Sequence, residues 1–336
     1  MATPPPVHWD GVLVRFGEIG IKSAPVRRQM LERLRGNLLA LMEAGRVEGD
    51  VQRVGSRLWM AGPDIPALVR VATRCFGVVS ASPARKVASS LEAISATAST
   101  LALHYPWTTF AVRARREGTH PFTSQDVNVQ VGSAVYKAAQ AAGRTPKVDL
   151  GSPDFALEVD VRQDRCYLFT EQHEGPGGIP RGTQGRVLAL VSDGPSFLAA
   201  WLMMRRGCEV VALHAGTTGS LPMDAVGHMA AWGFPREVEL LPLCKGSIPK
   251  VSLLEAAAHV ARERGATALV TGEDLASGLC GASLPVLRPV CGLDPSEQAR
   301  WASRVALPPL DVAKVIDAKG PETAESALAM RRQVMA

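Results

Sequence analysis

Five residues near the middle of the chain, Ser192-Asp193-Gly194-Pro195-Ser196, stand between an apolar run, VLALV, and an amphipathic stretch, SFLAAWLMMRR. A strand, a tight turn and a helix in that order are where α/β proteins hold phosphate, because the turn's N–H groups and the helix N-terminus favour an anion. The residue types work against phosphate here. Glycine lets the backbone take positive φ and approach a phosphate closely, and aspartate does so less readily. A carboxylate about 4 Å from a phosphate charge repels it by roughly 4 kcal/mol per unit pair at an effective dielectric near 20. Proline offers no N–H, and a missing bond to a charged acceptor costs about 1.5–3 kcal/mol. Proline is well placed at a helix start, and Asp193 or Ser192 can cap the helix. The turn thus reads as a helix cap in the position of a phosphate cradle. A metal ion held by Asp193 would invert the charge argument.

Basic residues form the second candidate group. Between Phe110 and Lys147 lie Arg113, Arg115, Arg116, His120, Lys137, Arg144 and Lys147, against Glu117 and Asp126. Such a segment can track phosphates or be a plain solvated face, and composition alone does not separate the two. The net charge of +5 adds only weak support for nucleic acid. The six cysteines are scattered without a C-x-x-C pair, as expected of reduced thiols and not of a disulfide framework or a structural zinc site. His173 and Glu174 fall in a connector and His259 on an alanine-rich helix, and no Ser/His/Asp set stands out.

The 336 residues suffice for two or three domains. GVLVRFG reads as a strand, VRRQMLERLRGNLLALMEAG as a helix, RVGSRLWMAG as a second strand, and IPALVRVATRCFG as a helix closed by Gly77. A helix from Ser90 to His104 follows. TTFAVRARREG is then a strand, SQDVNVQVGSAVYKAAQAAG a helix capped by Ser124, and FALEVDVRQDRCYLFTEQHEG two strands around RQDR. After the Gly/Pro-rich connector GPGGIPRGTQG, strands and helices alternate, which predicts a doubly wound, mostly parallel sheet with ligands beyond the strands' carboxyl ends. Asp294, Pro295 and Glu297 mark a capped helix start. The N-terminus MATPPPVHWDG has no secretory pattern and no apolar run approaches a membrane span, so a cytoplasmic protein is expected.

RFGEIGIKS, FAVRARREGTHPFTSQDVNVQVG, VDLGSPDFALEVDVR and EGPGGIPRGTQGRVLALVS, with VARERGATALVTGEDL and LRPV further on, occur in this order. Together they resemble the tRNA 4-thiouridine synthetases, the tRNA sulfurtransferases also linked to thiamine synthesis. The resemblance implies a ferredoxin-like domain over 1–75, an α+β THUMP domain over 76–173, a linker over 174–186 and a PP-loop domain over 187–336. It implies tRNA as partner, uridine 8 as the substrate base, ATP with Mg2+ as activator, and a persulfide supplied by a cysteine desulfurase or another donor. A homodimer is compatible with it. Arg15, Lys22, Arg113, Arg115, Arg116, His120, Arg144 and Lys147 become candidate tRNA contacts, mostly to phosphates. Glu18 and Lys22, four apart, are equally suited to a local ion pair.

Active members carry Ser-Gly-Gly-x-Asp-Ser in the phosphate turn. Here Ser192 and Gly194 remain, Asp193 replaces a glycine, and the carboxylate that would serve Mg-pyrophosphate is missing from its place. Leu190, Val191, Ser192, Asp193, Gly194, Ser196, His214, Ala215, Lys250 and Gly272 are the positions the resemblance assigns to nucleotide. Lys250 could equally be a surface lysine and Gly272 a tight turn. The family's sulfur-transfer cysteine has no counterpart in ALPPLDVAKVIDAKGPETAES, and the sequence ends at Ala336 without a rhodanese domain. Some members hold an iron–sulfur cluster, but Cys244, Cys280 and Cys291 have no motif for one and read as packing residues. The reading is a tRNA-binding family member whose thiolation is impaired or lost. Two alternatives are an active sulfurtransferase with an external donor, and a subunit presenting tRNA to another catalytic protein.

Overall fold

The computed structural model describes residues 7–216, 220–241, 250–273, 281–305 and 307. It falls into two compact units, one of Met1–Ile21, Leu38–Thr73 and Val78–Pro176, the other of Lys22–Asn37, Arg74–Gly77 and Gly177–Ala336.

The chain begins β1 (Gly11–Phe16), α1 (Ala24–Ala44), β2 (Asp50–Val54), β3 (Arg57–Ala61), α2 (Ile65–Ala72) and β4 (Val78–Ala88). The strands pair antiparallel in the order β2-β3-β1-β4, the ferredoxin-like arrangement. RVGSRLWMAG is not one strand. It contains the turn of a hairpin, where Gly55 takes φ +59 and Val54 pairs with Arg57. The helix expected to run to Gly77 ends at Ala72. The sequence pattern does not predict β4, whose Ser80, Ser82 and Pro83 dilute the apolar alternation.

Next come α3 (Leu91–His104), β5 (Thr109–Arg116), α4 (Ser124–Ala141), β6 (Lys147–Val148), β7 (Phe155–Val161), β8 (Arg165–Phe169) and β9 (His173–Glu174). Ser90 caps α3 by accepting from Ala93 N. The cap of α4 is Thr123, one residue before the expected Ser124. Its hydroxyl accepts from Asp126 N, and Asp126 accepts from Thr123 N at 2.8 Å, a reciprocal capping box. Because β4 pairs with β1 along most of its length and with β8 at its end, one sheet runs β2-β3-β1-β4-β8-β7-β5-β6, with β9 beside β4. On one face Val112, Leu157, Val159, Val161 and Leu168 pack against Ile94, Ala98 and Leu101 of α3 and Val127, Val131 and Val135 of α4. The opposite face holds a small apolar cluster, Leu13, Trp59, Ala84, Tyr167 and Phe169, built of strand residues alone.

The second unit carries β10 (Arg186–Leu190), α5 (Gly194–Arg205), β11 (Glu209–Ala215), α6 (Met223–Ala230), β12 (Glu239–Leu241), α7 (Lys250–Glu263), β13 (Leu269–Val270), β14 (Val286–Leu287) and α8 (Pro295–Val305). All its strand pairs are parallel, in the order β12-β11-β10-β13-β14. Phe197, Leu198, Trp201 and Met204 of α5 fill one side of this sheet, and Leu253, Leu254, Ala257 and Val260 of α7 the other. Asp294 Oδ1 accepts from Glu297 N at 2.9 Å and Glu297 accepts from Asp294 N at 3.2 Å, so α8 opens with the expected box. GPGGIPRGTQG is fastened to the end of α5. The Gly207 carbonyl accepts from the N–H groups of Gly182, Thr183 and Gln184, and Gly178, at φ +72, leaves no room for a Cβ against the Arg205 carbonyl. Among the described residues no helix is long and apolar enough to cross a membrane.

Candidate phosphate turn and cationic sheet face

The turn that joins β10 to α5 consumes its own donors. Asp193 is the N-cap of α5, and its Oδ1 accepts from Ser196 N at 2.9 Å. In return Ser196 Oγ accepts from Ser192 N at 2.9 Å and from Asp193 N at 3.0 Å, and donates to the Asp193 carbonyl at 2.8 Å. Pro195 has no N–H, which leaves only the Gly194 N–H outside these bonds. The Asp193 carboxylate thus stands where a phosphate would meet the helix N-terminus, and it supplies the negative charge that the dipole favours. Ser192 is exposed, Asp193 half-buried, and Gly194, Pro195 and Ser196 are buried. These groups do not fit the phosphates of ATP.

Other residues assigned to nucleotide gather at the same carboxyl edge of the sheet. Val191 is buried and Leu190 half-buried. His214, 3% exposed, places Nδ1 2.7 Å from the Val191 carbonyl and Nε2 2.8 Å from Ser220 Oγ. A carbonyl only accepts, so Nδ1 donates, while Nε2 bonds the Ser220 hydroxyl; both ring nitrogens are committed. Ala215 closes β11 and pairs with Leu241. Lys250 opens α7, and its side chain lies outside the described residues. Gly272 abuts the turn: a Cβ on it would lie 2.3 Å from Ser196 N and 2.5 Å from Pro195 C. Gly272→Ala is therefore expected to push the β13 end and the turn apart and to cost about 1–3 kcal/mol, read as a lowered Tm. An unchanged melting curve would show that the turn is not seated against β13.

The cations expected on an RNA surface divide in two. Arg113 and Arg115 of β5 stand opposite Glu158 and Asp160 of β7, on the face turned away from α3 and α4. Arg113 donates to the Leu150 carbonyl at 3.2 Å and lies 3.8 Å from Glu158, while its head and that of Arg115 stay exposed. Arg116 is exposed beside the Gly118 carbonyl, and Lys22 and Lys147 are exposed. No ion pair joins Lys22 to Glu18 among the described residues. His120 stacks on Phe122, with ring centres 5.2 Å apart.

Two arginines are instead tied inward. Arg144 donates to the carbonyls of Ala102, Leu103 and Tyr105 at the end of α3, satisfying groups that the helix leaves open. Arg15 donates to Ser80 Oγ and Ser82 Oγ and lies 4.2 Å above the Phe169 ring. Burial pulls its guanidinium down to about 10, with Asp160 acting in the opposite sense.

Sequence reading missed the group that orders this face. Asp160, 3% exposed, accepts from Arg162 Nη2 at 2.9 Å and lies 3.5 Å from Arg57 Nε. Arg162 also pairs with Glu117 and donates to Ser56 Oγ at 2.9 Å. The available signal was LEVDV, where carboxylates alternate with core residues on a strand parallel to VRAR.

Of the described cysteines, Cys75, Cys166 and Cys208 are buried, and burial pushes each thiol up, Cys75 to about 12. Cys291 is half-buried, and Cys244 and Cys280 lie outside the described residues. Among the described residues no group of three His, Cys, Asp or Glu could hold a metal ion.

The chain thus holds a parallel-sheet α/β domain and an α+β region whose sheet carries exposed arginines on the face away from α3 and α4. Residues 11–82 match the ThiI ferredoxin-like domain, 88–171 the THUMP domain, and 182–229 the thiamine biosynthesis protein (ThiI). A probable tRNA sulfurtransferase of Methanobrevibacter smithii is 32% identical over 365 residues, covering 94% of this chain and 93% of that relative. Another, of Halobacterium salinarum, is 44% identical over 207 residues, but the match spans only 53% of it and 61% of this chain. A solved 4-thiouridine synthetase–RNA complex with bound ATP has a TM-score of 0.74 at 22% identity, over 97% of this chain and 94% of that one, and so shares the fold. The chain belongs to the tRNA sulfurtransferase family.

Proposed function

We propose that this chain binds tRNA through the open face of its nine-stranded sheet and does not activate it with ATP, so that thiolation of uridine 8 is lost. The observation that carries the second half is the Asp193–Ser196 box, which engages three of the turn's N–H groups and places a carboxylate in the phosphate position. The three deeply buried thiols are poor sulfur carriers, because the thiolate is the reacting form and burial disfavours it. Support for the first half comes from the THUMP match and from the exposed heads of Arg113, Arg115 and Arg116. Quantifying 4-thiouridine in tRNA with and without the gene tests the proposal. An unchanged level is expected, and loss of the base on deletion, restored by this chain alone, refutes it.

Arginines on this face would neutralise phosphates and release counterions, so binding must be salt-dependent. Arg113→Ala with Arg115→Ala is expected to weaken tRNA binding and make the slope of log K against log salt shallower by about 1.4–1.8. Anisotropy titrations at several salt concentrations measure both. Unchanged affinity and slope would remove this surface from the account.

A further inference from the structure

Toward the amino edge of the parallel sheet, away from the phosphate turn, lies a cavity of about 510 Å3. It opens where two segments part. β12 pairs with β11 only over Leu213, His214 and Ala215, so the start of β11 has no strand beside it on that flank. Residues 235–238, which lead into β12, form the far wall of the gap.

Strand parity fixes which peptide groups face the gap. The Leu213 carbonyl accepts from Val191 N on the β10 side, and Gly216 N donates to the Leu241 carbonyl on the β12 side. Successive residues of a strand alternate, so Val210 and Ala212 turn their peptide groups toward β12 and into the cavity. Among the described residues neither the Val210 carbonyl nor the Ala212 N–H has a hydrogen-bond partner. Ala212 is 1% exposed, and a buried N–H is seldom left unbonded.

The surroundings define what such an edge accepts. Pro235, Val238 and Leu240, all half-buried, give apolar walls. Arg186 at the rim lies 3.0 Å from Glu209, and Arg264 pairs with Glu239. Glu237, also at the rim, is exposed. Each arginine is thus matched by a carboxylate, which leaves no cationic place for a phosphate and favours a neutral ligand. An apolar cavity of this size with a few placed backbone groups is the usual form of a small-molecule site. An acceptor carbonyl beside a donor N–H is complementary to a ring that carries N–H and C=O side by side.

We infer that this cavity binds a neutral, planar lactam heterocycle, whose ring N–H donates to the Val210 carbonyl and whose ring carbonyl accepts from Ala212 N–H. The inference goes beyond the tRNA reading and does not rest on it.

The test follows the methyl NMR signals of the full chain as uracil or, separately, α-pyridone is added. Saturable shifts are expected at Val210, Val238 and Leu240 and not at Leu190 or Val191. Saturation by uracil alone assigns the site to a nucleobase, and saturation by α-pyridone alone to a lactam of another origin. N,N′-Dimethyluracil and N-methyl-α-pyridone keep the ring and carbonyl but lack the N–H, and are expected to bind about tenfold more weakly or worse. Val238→Trp fills the cavity from its wall and is expected to abolish the shifts in a chain that still melts cooperatively. Equal binding of the methylated rings, shifts confined to Leu190 and Val191, or no saturable shift with either lactam overturns the inference. So does an extended acetyl-Thr-Val-Thr-Val amide that moves the three methyl signals where neither lactam does, which would make the edge an acceptor for a peptide strand.

Discussion

Asp160→Ala will destabilise the first unit by about 3–5 kcal/mol, the range for removing one partner of a buried ion pair. Asp160 is 3% exposed and faces Arg162 and Arg57, while Arg15 feels its charge. Without it the arginines keep their charge, because a guanidinium stays protonated at neutral pH. The cost is therefore an uncompensated cluster of like charges and not a lost contact. Asp160→Asn should cost nearly as much, because the amide fills the space but cannot balance the cations. Urea unfolding gives the free energy, and a loss below about 1 kcal/mol for both variants would place the arginines in solvent. Arg115 pairs in register with Asp160, so tRNA affinity should fall along with stability.

Asp193→Gly combined with Pro195→Ala should raise Mg-ATP affinity by about 100-fold or more. The first change removes a repulsion of roughly 4 kcal/mol and frees Ser196 N. The second returns an N–H whose bond to a charged acceptor is worth about 1.5–3 kcal/mol. Neighbouring effects do not add, but half their sum still exceeds two decades. Glycine at an N-cap costs only a few tenths of a kcal/mol, so the variant should fold. No gain would mean that the crevice is closed by something else, with Gly272 against the turn and His214 bonded to Val191 the first suspects.

Local chemistry made much of this legible in the sequence. The Asp294 box and the capping capacity of Asp193 are written in residues within three positions of each other, and the structure forms both. Features that depend on distant partners were not legible. One local signal is also easily passed over: Gly55-Ser56, with Gly55 at positive φ, is the two-residue turn between Val54 and Arg57. The strand β4 is held by two neighbours on its long edges and not by its own pattern. Arg144 sits among the basic residues in sequence, yet its partners are carbonyls 39–42 residues earlier. Asp160 and Arg57 are 103 positions apart by number and meet only because the strand order β3-β1-β4-β8-β7 puts their strands in one sheet.

The most direct test of the account is isothermal titration of the purified chain with Mg-ATP, alone and in the presence of tRNA. It predicts no saturable heat up to about 1 mM nucleotide, the upper end of ordinary substrate affinities, while the same preparation binds tRNA. A saturable ATP isotherm, or AMP released when tRNA is added, would contradict it.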